Sequence, residues 1–130
     1  MKYSEIPSKT VHWKILVVED DAVSFLYLAR LLQKLDMTII RAENGEQAVE
    51  IVRNIPDIKI ILMDIRLPVM DGMQATKLIK QLRPDLPVLV QTAYAFDAEK
   101  NKIMESGCDE YLTKPLDQAK LTAVFHKYLK

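Results

Sequence analysis

Short runs of apolar residues that end in acids constrain this chain most. In "KIILMDIRLPVMDG", residues 59–72, four apolar residues run straight into Asp64, with a proline and a glycine soon after. "ILVVEDD" does the same, from Ile15 through Val18 into Glu19, Asp20 and Asp21. A strand this apolar has no solvated face, so both its faces must be covered. A core strand that delivers a carboxylate at its tip, twice in one small chain, points to a site.

Between the apolar runs lie segments of helical period. Residues 14–18 and 58–63 read as buried strands, and residues 37–42, 87–92 and 109–114 as three more. Residues 23–35 place Leu28, Leu31, Leu32 and Leu35 on one helical stripe, and the helix after Asn44 and Gly45 turns Ala48, Val49 and Val52 inward. A third helix offers Met73, Ala75, Leu78, Ile79 and Leu82 to the core before "RPDLP" breaks it. A mostly polar fourth helix runs from about Asp97 to a stop near Gly107, and Asp117 reads as the N-cap of the last. Five βα units of this kind predict an α/β fold, a five-stranded parallel sheet with helices on both faces. At 130 residues this is one domain, with residues 1–13 as a lead-in or linker and residues 14–130 folded.

In such open sheets, ligands bind at the carboxyl ends of the strands. Glu19, Asp20, Asp64, Thr92 and Lys114 all follow their strands, so they share that edge. Two carboxylates ~4 Å apart repel by about 4 kcal/mol at an effective dielectric near 20. A hard divalent cation such as Mg²⁺ offsets this, because it takes one or two carboxylates plus waters and phosphate oxygens. A flavin-phosphate cradle fits poorly, since the loop after the first strand is "EDDAVS" and would repel a bare phosphate. The reading that survives has Asp64 as nucleophile toward a phosphoryl donor, with a metal neutralising charge.

"ILVVEDD", "LMDIRLPVMDG", "VQTAYA" and "YLTKPLD", in that order and spacing, resemble the receiver domain of two-component response regulators over nearly the whole chain. The resemblance implies a flavodoxin-like fold of chemotaxis-receiver type with strand order 2-1-3-4-5. It implies that Asp64 accepts a phosphoryl group from a phosphohistidine on a histidine kinase or a histidine phosphotransfer protein. Mg²⁺ would be held by Glu19, Asp20, Asp64 and the Arg66 backbone carbonyl. Lys114 would pair with a phosphoryl oxygen, Thr92 would hydrogen-bond the group, and Tyr111 would swing inward as the second half of the switch. Pro115 would follow a cis bond, and Arg66 and Tyr94 would flank the phosphoryl group and slow its hydrolysis. Output would pass through the face made by the fourth helix, fifth strand and fifth helix, while the first helix would meet the phosphodonor.

Other readings are narrower. An Asp-nucleophile phosphohydrolase would want a second acid two residues after Asp64, where Arg66 stands. A degenerate receiver that only binds partners would not need the intact set of acids, Thr92 and Lys114. Asp21 reads as a helix cap, Cys108 as a small buried hydrophobe, and His12 and His126 take no chemical role. With 18 basic and 18 acidic residues, the net charge of +0 argues against direct nucleic-acid binding. No apolar run suits a membrane span, and "MKYSEIPSKTVHW" has no signal-peptide core. One cysteine fits a reducing, cytoplasmic setting. The approach "HWKILVVEDD" resembles the receivers of hybrid sensor histidine kinases. Too few residues follow Lys114 for a DNA-binding domain, so the expectation is a stand-alone receiver or the receiver of such a kinase.

Overall fold

Ile15, Leu16, Val17 and Val18 are each 0% exposed, the burial expected of a central strand covered on both sides. In the computed structural model, which describes residues 13–93 and 97–129, they lie in β1 (Lys14–Val18). The chain continues through α1 (Ala22–Gln33), β2 (Thr38–Ala42), α2 (Gly45–Asn54), β3 (Ile58–Asp64) and α3 (Gly72–Leu82). It ends with β4 (Val88–Thr92), α4 (Asp97–Glu105), β5 (Glu110–Thr113) and α5 (Gln118–Tyr128). Every strand pairing is parallel, and the order is β2-β1-β3-β4-β5. This is the flavodoxin-like fold of the chemotaxis-type receiver, as the resemblance implied.

Alternation along the strands divides the core in two. Leu16, Val18, Ile61, Met63 and Val90 face α2, α3 and α4, where Val52, Ile79 and Ile103 meet them. Ile15, Val17, Ile60, Leu62 and Leu89 face the opposite way, against Leu28 and Leu32 of α1 and Leu121 and Phe125 of α5. Each such side chain contributes roughly 1.5–3 kcal/mol on burial. A slip of one residue would exchange the two faces, so the sheet register is strongly held. That register fixes where the acids emerge.

The helices begin at that same edge. Asp21, Asn44, Asp71 and Asp117 cap α1, α2, α3 and α5, their side chains accepting from the N–H groups of Ser24, Gln47, Gln74 and Lys120. Gly107 has φ +90 just past α4, matching the expected stop. Two glycines are demanded by close approach: a Cβ on Gly72 would lie 2.1 Å from the Asp64 carbonyl oxygen, and one on Gly45 2.4 Å from that of Met70. Helix α3 therefore starts pressed against the end of β3. The expected inward position of Leu82 is not observed: it is 42% exposed. Leu86, from the turn that follows, joins the core in its stead.

Candidate functional site

Glu19 continues the ladder past β1, its N–H donating to the Ala42 carbonyl at 3.0 Å. Glu19 is 1% exposed, and Asp64, the last residue of β3, is 6% exposed. Asp20 stands next to them in solvent. Carboxylate oxygens of Glu19, Asp20 and Asp64 all lie within 4.8 Å of one another. Lys114 answers them: its Nζ is 3.3 Å from Asp64 Oδ2 and 3.4 Å from Glu19 Oε1. Backbone donors add little, Asp21 N–H to Glu19 Oε2 at 3.3 Å and Arg66 N–H to Asp64 Oδ1 at 3.4 Å.

The electrostatics follow from the count of charges. Burial, and then the neighbouring Asp64 charge, push the Glu19 carboxyl up from 4.5 to about 7, against the pull of Lys114. A buried acid held that high is short of positive charge. Three carboxylates converging within reach of one ion, two of them buried, make a donor set of hard oxygens that suits Mg²⁺. The residues fit the ion.

The remaining predicted residues gather around this cluster. Thr92 ends β4 buried at 2% exposure, and its carbonyl accepts from Lys114 N–H at 2.8 Å, which ties the Lys114 backbone to the end of β4. The Lys114–Pro115 peptide is cis. Tyr111 is half-buried on β5 against the α2–α4 side of the core, with Lys100 Nζ 5.8 Å from its ring centre. Arg66 is exposed just past Asp64, and Tyr94 lies outside the described residues. Asp21 makes two 2.8 Å bonds with Ser24, from its N–H and its hydroxyl, and is the α1 cap.

Three residues have roles that sequence reasoning missed. Arg41 on β2 donates to the Glu19 carbonyl at 3.2 and 3.1 Å and to the Asp20 carbonyl at 3.2 Å, fixing the loop that carries both acids. Its guanidinium also stacks 4.8 Å from the Phe25 ring. The signal available was a lone cation in the apolar run "TIIRA". Tyr27 of α1 donates its hydroxyl to the Leu116 carbonyl. Gln91 is a buried amide within β4, 1% exposed, where "VLVQT" shows one polar residue inside an otherwise apolar strand.

The model of the response regulator receiver domain family matches residues 15–126. The chain is 32% identical over 120 residues to the sensor histidine kinase GacS of Pseudomonas protegens, covering 88% of this chain and 13% of that protein. It is 33% identical over 116 residues to the signal transduction histidine-protein kinase BarA of Escherichia coli K12, covering 88% and 12%. It therefore spans only about an eighth of the length of these curated relatives. Among solved structures, a magnesium-bound receiver domain of a sensor histidine kinase from Pseudomonas aeruginosa PAO1 matches with TM-score 0.83 and 30% identity, covering 91% of this chain and 98% of that one. The receiver of a Saccharomyces cerevisiae response regulator, solved with its histidine phosphotransfer protein, matches with TM-score 0.82 and 28% identity, covering 90% and 88%.

The sheet with an acid cluster and a lysine at its carboxyl edge, together with the family match and the kinase relatives, places the chain among the receivers of two-component signalling. The chain belongs to the response regulator receiver domain family. Among the described residues no helix is long and apolar enough to cross a membrane.

Proposed function

We propose that the chain, as a receiver domain over residues 14–130, takes a phosphoryl group from a phosphohistidine onto Asp64. An Asp64 carboxylate oxygen attacks phosphorus, the histidine N–P bond breaks, and the ring nitrogen keeps the electron pair. The observation that carries this reading is the bridging of Asp64 and Glu19 by Lys114 at 3.3 and 3.4 Å, beside a third carboxylate. Lys114 already stands where charge would develop, which lowers the cost of adding a dianion. Glu19, Asp20, Asp64 and the Arg66 carbonyl would hold Mg²⁺, which when bound neutralises phosphoryl charge during transfer. Thr92 and Tyr111 form the switch, and Arg66 with Tyr94 screens the product from water. The self-catalysed gain and loss of phosphate make the domain a signalling switch rather than a metabolic enzyme.

The phosphodonor is a histidine kinase or histidine phosphotransfer protein. Support for docking along α1 comes from Val23, Leu26 and Tyr27, exposed by 74%, 64% and 46%. The output partner meets α4, β5 and α5, and the domain works in the cytoplasm. The test is intact mass after incubation with acetyl phosphate, with Mg²⁺ or chelator, on wild type and Asp64→Asn. One phosphoryl adduct is expected with Mg²⁺ only, and none in the variant. An adduct that persists in Asp64→Asn would sink the assignment.

A further inference from the structure

The loop between β1 and α1 delivers two of the three clustered carboxylates, yet packing holds only one of them. Glu19 is buried, whereas Asp20 stands in solvent. A ligand on an exposed loop is placed by its backbone, and ordering one residue's backbone on binding costs about tenfold in affinity. Arg41 of β2 removes that freedom in advance. Its guanidinium donates to the Glu19 carbonyl at 3.2 and 3.1 Å and to the Asp20 carbonyl at 3.2 Å. Those carbonyls belong to the two rigid peptide planes that flank the Asp20 Cα, and only φ and ψ of Asp20 lie between them. Pinning both planes fixes both angles, and with them the direction in which the Asp20 side chain leaves the backbone.

The guanidinium is itself held on two sides. Arg41 lies opposite Val17 in the parallel pairing of β2 with β1, and its Cζ stands 4.8 Å from the centre of the Phe25 ring on α1. A planar fork suits two neighbouring acceptors, which an ammonium on a flexible stem does not match. Charge alone would act the other way, because a fixed cation beside the acid loop repels an incoming Mg²⁺. We infer that Arg41 is a positioning residue for the metal site: by clamping the carbonyls of Glu19 and Asp20 it presets the Asp20 carboxylate, and so raises Mg²⁺ affinity against the effect of its own charge. The inference rests on the proposed Mg²⁺ site and does not require phosphotransfer.

The test is a Mg²⁺ titration of the whole chain followed by nitrogen–proton NMR, on wild type, Arg41→Gln, Arg41→Lys and Phe25→Leu. The backbone amides of Asp20, Asp21 and Asp64 report the site, and those of Ile79 and Phe125 report the two faces of the core. Arg41→Gln and Arg41→Lys should each weaken Mg²⁺ binding about tenfold, the lower end of what losing a group that orients a metal ligand costs. The Ile79 and Phe125 amides should keep their wild-type positions. Phe25→Leu keeps an apolar side chain but releases the stack on the guanidinium, so it should weaken Mg²⁺ by less. With acetyl phosphate, both Arg41 variants should raise the half-saturating Mg²⁺ concentration far more than they lower the rate at saturation. Affinity unchanged or tightened in Arg41→Gln would overturn the inference. Full rescue by Arg41→Lys would do the same, since a point charge would then suffice, as would weakened binding with shifted Ile79 and Phe125 amides, a general loosening. Should the Arg41 variants not fold, a Phe25→Leu affinity equal to wild type overturns it alone. Wild-type amides that ignore Mg²⁺ would overturn the metal site and the inference together. If wild type takes no phosphoryl adduct, the phosphoacceptor reading fails, and the NMR affinities still decide the role of Arg41.

Discussion

Val69 has φ +68, a left-handed backbone that a β-branched residue adopts at a cost of about 1–2 kcal/mol. Its side chain is 77% exposed, so packing offsets little of that. The neighbouring backbone compels the conformation: Met70 N–H donates to the Pro68 carbonyl at 2.7 Å, and Gly45 N–H to the Met70 carbonyl at 3.1 Å. Gly72 N–H closes the loop onto the Ile65 carbonyl at 2.9 Å. Asn enters this backbone region more readily than Val. Val69→Asn is therefore expected to raise stability by about 0.5–1 kcal/mol, measured as a higher urea midpoint at unchanged slope. A lower midpoint would mean that the valine side chain stabilises the loop in a way its exposure hides. No pattern in "LPVMDG" announces this strain, because one of the bonds that hold the loop comes from Gly45, far away in the sequence.

At the scale of elements, the two acids after β1 have divided roles. Asp20 contributes to the carboxylate cluster, whereas Asp21 caps α1 through Ser24. Asp21→Ala is expected to cost about 1 kcal/mol, the usual value of a lost cap, while phosphorylation by acetyl phosphate continues. Loss of the adduct in a folded Asp21→Ala would move that residue into the site. Strand existence was legible, since burial on both faces forces continuous runs such as "ILVV" and "IILM". Helix starts were legible at Asp21 and Asp117, where a side chain acts on its own helix. The strand order came only from the family resemblance, because apolar runs do not encode their neighbours. Arg41 was illegible for a related reason: parallel pairing sets Val17 against it and carries its guanidinium to the Glu19 carbonyl. Leu82 had the right period and still ended exposed, because the turn supplied Leu86 first.

For the whole molecule, the unbalanced acids at one edge link stability to both pH and metal. Glu19 has its carboxyl raised from 4.5 to about 7 by burial and by Asp64. The folded state then binds more protons than the unfolded chain between those two values. Stability is fully present below the unfolded value and is lost as pH rises through the folded one. In chelator, the urea midpoint should therefore fall from about pH 4.5 to about pH 7, the window set by Glu19. Mg²⁺ binds the ionised cluster, so it stabilises by mass action and more strongly at the upper end of that window. The two curves, with metal and without, should diverge as pH rises. Asp64→Asn removes one of the charges that hold Glu19 high, so its chelator curve should be flatter, with apo stability held or raised. A wild-type chelator curve that rises steadily across the window would mean that Lys114 already neutralises the cluster, and the need for an ion would vanish with it.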